Sequence, residues 1–86
     1  MGMDTWILKD NQLTKTFVFA SFEAAMDFMV RAGRVIGEMD HHPRWTNLYN
    51  RVEVWLCTHD AGDIVTQKDY DLAAALDAVF AGDQRN

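Results

Sequence analysis

Residues 40–59 read DHHPRWTNLYNRVEVWLCTH, and the way this stretch is parsed decides the fold. It begins where a helical repeat stops. Pro43 pushes the residue before it, His42, out of the α region, so the pair His41-His42 is expected at a helix-to-strand junction on extended backbone. Two strands are expected after the proline, from Thr46 to Tyr49 and from Arg51 to Thr58. In the second, Val52, Val54, Leu56 and Thr58 alternate with Arg51, Glu53, Trp55 and Cys57. Continued to the end of the stretch, that alternation puts His59 on one face with Trp55 and Cys57, opposite the valine row.

Upstream, apolar residues recur at helical spacing from Phe22 to about Met39. Ser21 stands at the N-cap position, and Glu23 lies in the first turn near the positive end of the helix dipole. Phe22, Met26, Met29, Val30, Gly33, Ile36 and Gly37 are expected to form the buried face, with Glu23, Asp27, Arg31, Arg34 and Glu38 in solvent. Before the helix, the run Leu13 to Phe19 alternates, with Leu13, Phe17 and Phe19 on one side. Across the polar turn Lys9-Asp10-Asn11-Gln12 lies a short apolar run from Trp6 to Leu8, so the two read as a hairpin.

Downstream, Asp60 to Asp63 is a turn, and Thr66-Gln67-Lys68-Asp69 has the form of a capping box. Leu72, Ala75, Leu76, Val79 and Phe80 then form one stripe of a helix that ends near Ala81-Gly82. The order is therefore β-β-α-β-β-α. This is an α+β fold, a four-stranded antiparallel sheet with both helices packed on one face. With no repeat, linker or low-complexity run, residues 1–86 are expected to form a single domain.

Composition narrows the function. The net charge of −5 disfavours direct contact with a nucleic acid backbone, which calls for a basic footprint. The single cysteine cannot form an internal disulfide, which fits a reducing compartment. No apolar run is long enough for a membrane span or a secretory signal, so a cytoplasmic protein is expected.

All three histidines, the only proline and the only cysteine fall within residues 40–59. Three readings compete: a metal site, structural histidines at a turn and a strand end, and a general acid–base centre acting near neutral pH. Adjacent histidines point in different directions, which counts against the metal. Cys57 sits in a strand with no nucleophile motif, and no glycine-rich phosphate loop is present. Spacing alone carries the reading to a candidate acid–base site and no further.

The residues that go further are Asp40, His41, His42, Pro43, Trp45, Asn47, Tyr49, Asn50 and Val52, then Leu56, Thr58 and His59, then Lys68, Asp69, Leu72 and Ala73. This pattern of fixed residues at fixed gaps resembles the pterin-4a-carbinolamine dehydratase family. The resemblance implies a hydro-lyase that removes water from a 4a-hydroxytetrahydropterin to give the quinonoid dihydropterin, in the recycling of tetrahydrobiopterin, with no metal and no organic cofactor. It implies His41, His42, His59 and Asp69 as catalytic residues, and Asp40, Trp45 and Lys68 as substrate-binding ones. The chain's small size, its sheet edges and the Gly33/Gly37 face of the helix make a homodimer or homotetramer the expected assembly. Animal relatives serve as dimerisation cofactors of a homeodomain transcription factor, so the alternative expectation is a non-catalytic pterin-binding or protein-interaction module. The sequence departs from the family at Gly37, where a charged residue is common. The loop from His59 to Asp69 is also one residue longer, which is expected to shift Asp69 relative to His59.

Overall fold

A computed structural model describes residues 5–84. Two antiparallel hairpins and two helices alternate along the chain. They are β1 (Ile7–Lys9), β2 (Gln12–Val18), α1 (Phe22–Met39), β3 (Arg44–Leu48), β4 (Arg51–Leu56) and α2 (Gln67–Gln84). The sheet order is β1-β2-β4-β3, so the second hairpin docks its β4 against β2 and leaves β1 and β3 at the edges. Element order and layering are those expected from the sequence, and several boundaries move. β3 starts at Arg44, earlier than expected, β4 stops at Leu56, and α2 runs on to Gln84.

Local chemistry explains the turns. The first hairpin closes on Asp10 and Asn11, both in the left-handed region (φ 53° and 62°), the pairing a two-residue hairpin turn requires. In the second hairpin the left-handed residue is Tyr49 (φ 53°), a costly position for a bulky side chain. Asn47 offsets that cost by donating through Nδ2 to the Tyr49 and Arg51 carbonyls at 3.1 and 3.0 Å. Asn50 bonds the hairpin to the end of β2, with Nδ2 to the Phe19 carbonyl at 2.8 Å and its own carbonyl accepting from the Phe19 N–H at 2.8 Å.

One face of the sheet is covered and the other is open. Leu13, Phe17, Val52, Val54 and Leu56 point under the helices, where Phe17, Phe19, Phe28 and Phe80 form an aromatic cluster with ring centroids 4.9 to 6.3 Å apart. Lys15 belongs to this inward row. Its ammonium reaches Asp77 of α2 at 2.7 Å and lies over the Phe17 ring at 4.9 Å, which makes burial of its stem tolerable. The Trp6 indole N–H donates to the same carboxylate at 3.1 Å.

The buried face of α1 is not the stripe expected from periodicity. Ala25, Phe28, Ala32 and Ile36 are buried, whereas Phe22, Met26 and Val30 are 42, 40 and 55% exposed and Gly37 is also exposed. The helix is apolar over more than half its circumference, and its buried face alternates small alanines with Phe28 and Ile36.

This assignment makes a direct prediction. Phe28→Ala should cost about 3–5 kcal/mol in a urea titration, while Phe22→Ala should cost less than about 1 kcal/mol. Equal losses at the two positions would contradict the packing.

Candidate active site

The site is assembled at one corner, where α1 ends, β4 ends and α2 begins. Helix α1 stops because Asp40 adopts the left-handed conformation (φ 52°, ψ 43°), with its N–H donating to the Gly37 carbonyl at 3.2 Å. The next N–H, that of His41, reaches the Ile36 carbonyl at 3.5 Å. These two bonds form a Schellman motif, so the helix terminates before Pro43 comes into play. The motif fixes the backbone of His41 directly.

At the end of β4, Thr58 bridges to Ile64, its N–H donating to the Ile64 carbonyl at 2.8 Å. A short 3₁₀ turn (His59–Ala61) fills the intervening loop. Asp69 lies in the first turn of α2 and is fully buried. Its Oδ2 accepts from the Thr66 N–H at 2.8 Å, the acidic half of the expected capping box, and from Thr58 Oγ1 at 2.8 Å. Its Oδ1 meets His41 Nε2 at 2.6 Å, with the His41 side chain 12% exposed. A carboxylate out of water is tolerable only when its lone pairs meet donors, and here each oxygen does.

The other two histidines do not join this cluster. His42 points to the open side of the sheet and lines a cleft of about 510 Å³ with Arg44, Trp55, Cys57 and Asp63. The Arg44 guanidinium stacks on the Trp55 ring at 4.2 Å, and the two residues are cross-strand partners. The cleft volume lies in the range of small-molecule sites, which is about 300–1,000 Å³. A broader depression of about 670 Å³ continues along the open face past Glu53 and Arg51.

His59 departs from expectation. The strand alternation ends at Thr58, the 3₁₀ turn swings His59 away from Trp55 and Cys57, and its side chain is 91% exposed. Its Nδ1 pairs with Asp63 at 2.8 Å. Asp63 also lines the cleft of His42, whereas His59 is not among the residues that line it. Asp69 engages His41 and Thr58 rather than His59.

Asp40 is exposed at its cap. Trp45 faces the opposite way from Arg44 and packs against the core. Lys68 is exposed on α2 beside a shallow depression that it shares with Thr58 and Thr66. Sequence reasoning missed Arg44 and Trp55 as a pair at the cleft; with β3 begun at Arg44, strand parity alone would have placed them together. Among the described residues, no group of three or more His, Cys, Asp or Glu side chains is arranged to hold a metal ion.

Two groups near the cleft titrate away from their ordinary values. The hydrogen bond that His59 donates to Asp63, then the Asp63 charge, raise the His59 pKa against a smaller effect of desolvation, and the Asp60 charge adds a little more. Partial burial, then the charges of Asp63 and Asp69, raise the Cys57 thiol against a smaller opposing effect of Arg44. A raised imidazole pKa means that the His59–Asp63 pair favours the folded state below the ordinary value of about 6.5 and that this benefit fades as pH rises through the raised value. Asp63→Asn should therefore lower both midpoints. The checks are the His59 imidazole shift against pH and the rate of Cys57 alkylation against pH, and an unmoved pair of midpoints would contradict the assignment.

The family model described as Pterin 4 alpha carbinolamine dehydratase matches residues 1–79. A curated protein of Bradyrhizobium diazoefficiens is 55% identical over 80 residues, covering 91% of this chain and 79% of its own length. One from Opitutus terrae is 47% identical over 74 residues, covering 86% and 76%. Both carry a provisional pterin-4-alpha-carbinolamine dehydratase name. Among solved structures, a transcriptional coactivator/pterin dehydratase from Brucella melitensis superposes with a TM-score of 0.83 at 38% identity, covering 91% of this chain and 84% of that one. A pterin dehydratase-like protein described as a RuBisCO assembly factor in the alpha-carboxysome shares the fold, with a TM-score of 0.74 at 22% identity over 88% and 89%. This chain belongs to the pterin-4-alpha-carbinolamine dehydratase family.

Proposed function

We propose that this protein dehydrates a 4a-hydroxytetrahydropterin to the quinonoid dihydropterin, in the recycling of tetrahydrobiopterin. The C4a–O bond breaks, the hydroxyl leaves as water with a proton from an acid, and a base takes the proton on N5 as the C4a–N5 double bond forms. Both transfers suit imidazoles, whose ordinary pKa of about 6.5 allows exchange in either direction. The observation that carries this reading is the 2.6 Å contact between His41 Nε2 and the buried carboxylate of Asp69. A buried carboxylate that holds an imidazole in place is a recurrent device of acid–base catalysis.

His41, His42 and His59 exchange the protons in this reading, and Asp69 orients the first. In this reading the flat pterin lies at the corner between His41 and the cleft that its neighbour His42 lines with Trp55, and Asp40, Trp45 and Lys68 are supporting positions by family correspondence. The chemistry calls for no metal or organic cofactor. The protein works in the cytoplasm as a homodimer or homotetramer, with residues 1–86 as a single domain. The exposed stripe of Phe22, Met26 and Val30 on α1 suits subunit contact.

That same stripe favours a second reading, a protein-interaction module in which the pterin site is incidental. The relative from Brucella melitensis, described as a coactivator as well as a dehydratase, lends it support.

The test is dehydration of freshly generated 4a-hydroxytetrahydropterin, followed in the ultraviolet. Wild type should accelerate it, and His41→Ala should lose about 10²-fold or more of that acceleration. No acceleration by folded wild-type protein would overturn the enzyme reading and bring the interaction module forward.

A further inference from the structure

The buried polar cluster behind His41 contains two hydroxyls to which neither the family resemblance nor the acid–base mechanism gives a role. Thr58 is 6% exposed, and its Oγ1 donates to Asp69 Oδ2 at 2.8 Å. The same oxygen lies 2.6 Å from Thr66 Oγ1. A hydroxyl has one hydrogen to give. Because Thr58 gives its hydrogen to Asp69, the 2.6 Å contact must be a donation from Thr66 to Thr58.

Proton directions then follow through the whole cluster. Asp69 Oδ2 accepts from Thr58 Oγ1 and from the Thr66 N–H, and Asp69 Oδ1 faces His41 Nε2. An ionised carboxylate only accepts, so Nε2 must carry a hydrogen. The opposite ring nitrogen, Nδ1, has no hydrogen-bond partner among the described residues, and the His41 side chain keeps 12% of its surface exposed. In neutral His41 it carries the free lone pair.

We propose that Thr58, itself fixed by Thr66, is a positioning residue of the acid–base centre. Its hydroxyl locks the Asp69 carboxylate so that His41 is held as the Nε2–H tautomer and exchanges protons through Nδ1. Thr58 touches no reacting atom; it acts through Asp69. Without it, one lone pair of a buried carboxylate goes unmet, and Asp69 gains a reason to rotate away from His41. This inference rests on the dehydratase reading for its kinetic consequence but not for its proton geometry.

The test compares wild type, Thr58→Val, Thr58→Ser and Thr66→Val by proton and nitrogen magnetic resonance of the imidazoles and by dehydratase kinetics. Wild type should show a slowly exchanging His41 Nε2–H with an unprotonated Nδ1 at high pH. Thr58→Val should exchange that proton at least about tenfold faster and lose about tenfold in kcat, with KM changed less than about twofold, the size expected for one lost bond to a charged group. Thr58→Ser should restore both, because the hydroxyl returns. Thr66→Val should move both in the same direction by a smaller factor, since the residue 66 N–H still donates to Asp69. This variant carries the test if Thr58→Val fails to fold. Wild-type proton exchange in a folded Thr58→Val protein, or a loss of kcat with no change in that proton, would overturn the proposal. If the proton behaves as expected while wild type shows no dehydratase activity, the positioning stands and the enzyme reading falls.

Discussion

Asp69 is a carboxylate with no exposed surface, and removing such a group from water costs several kcal/mol unless its lone pairs are met. They are met by donors from three different parts of the chain. The Thr66 N–H comes from the start of α2, the Thr58 hydroxyl from the end of β4, and the His41 imidazole from the end of α1. The ends of the three elements are thereby tied to one pair of oxygens. Breaking any one of these bonds leaves a buried charge short of a partner, so the corner has little freedom to deform.

Packing makes this constraint possible. The sheet is covered on one side only, with the phenylalanine cluster and the Val52, Val54 and Leu56 row beneath the helices. His41 and Asp69 lie at the edge of that covered layer, which excludes water from the carboxylate. His42, one residue along, lies on the open side with Arg44 and Trp55. Two neighbouring histidines thus receive different environments from a single change of backbone direction. One is mostly buried and held by a carboxylate, and the other lines the cleft beside Trp55.

Much of this was legible in the sequence. Ser21 does cap α1, its Oγ accepting from the Ala24 N–H at 3.1 Å, and α1 spans Phe22–Met39 as the spacing implies. The Val52, Val54, Leu56 and Thr58 row is buried as alternation requires. What escaped depends on contacts between distant segments. Periodicity could not choose between two adjacent apolar stripes of α1, because Ala25 and Ala32 carry a weaker signal than Phe22, Met26 and Val30. Nor could alternation foresee that the bridge from Thr58 to Ile64, with the left-handed Gly62 (φ 95°), would turn His59 into solvent. The capping-box spacing announced the helix start at Asp69. That the same carboxylate could also orient an imidazole was legible from the family pattern, but not that the imidazole would be that of His41, 28 positions away.

The account makes His41 and Asp69 a single functional unit, and a double-mutant cycle on the dehydration rate addresses that most directly. Wild type, His41→Ala, Asp69→Asn and the double variant are compared by kcat/KM with a 4a-hydroxytetrahydropterin. If the carboxylate acts through the imidazole, the double variant should be no slower than the slower single variant, as expected for residues that act as a unit. Losses that multiply across the two sites would show that Asp69 and His41 act independently and would contradict the account.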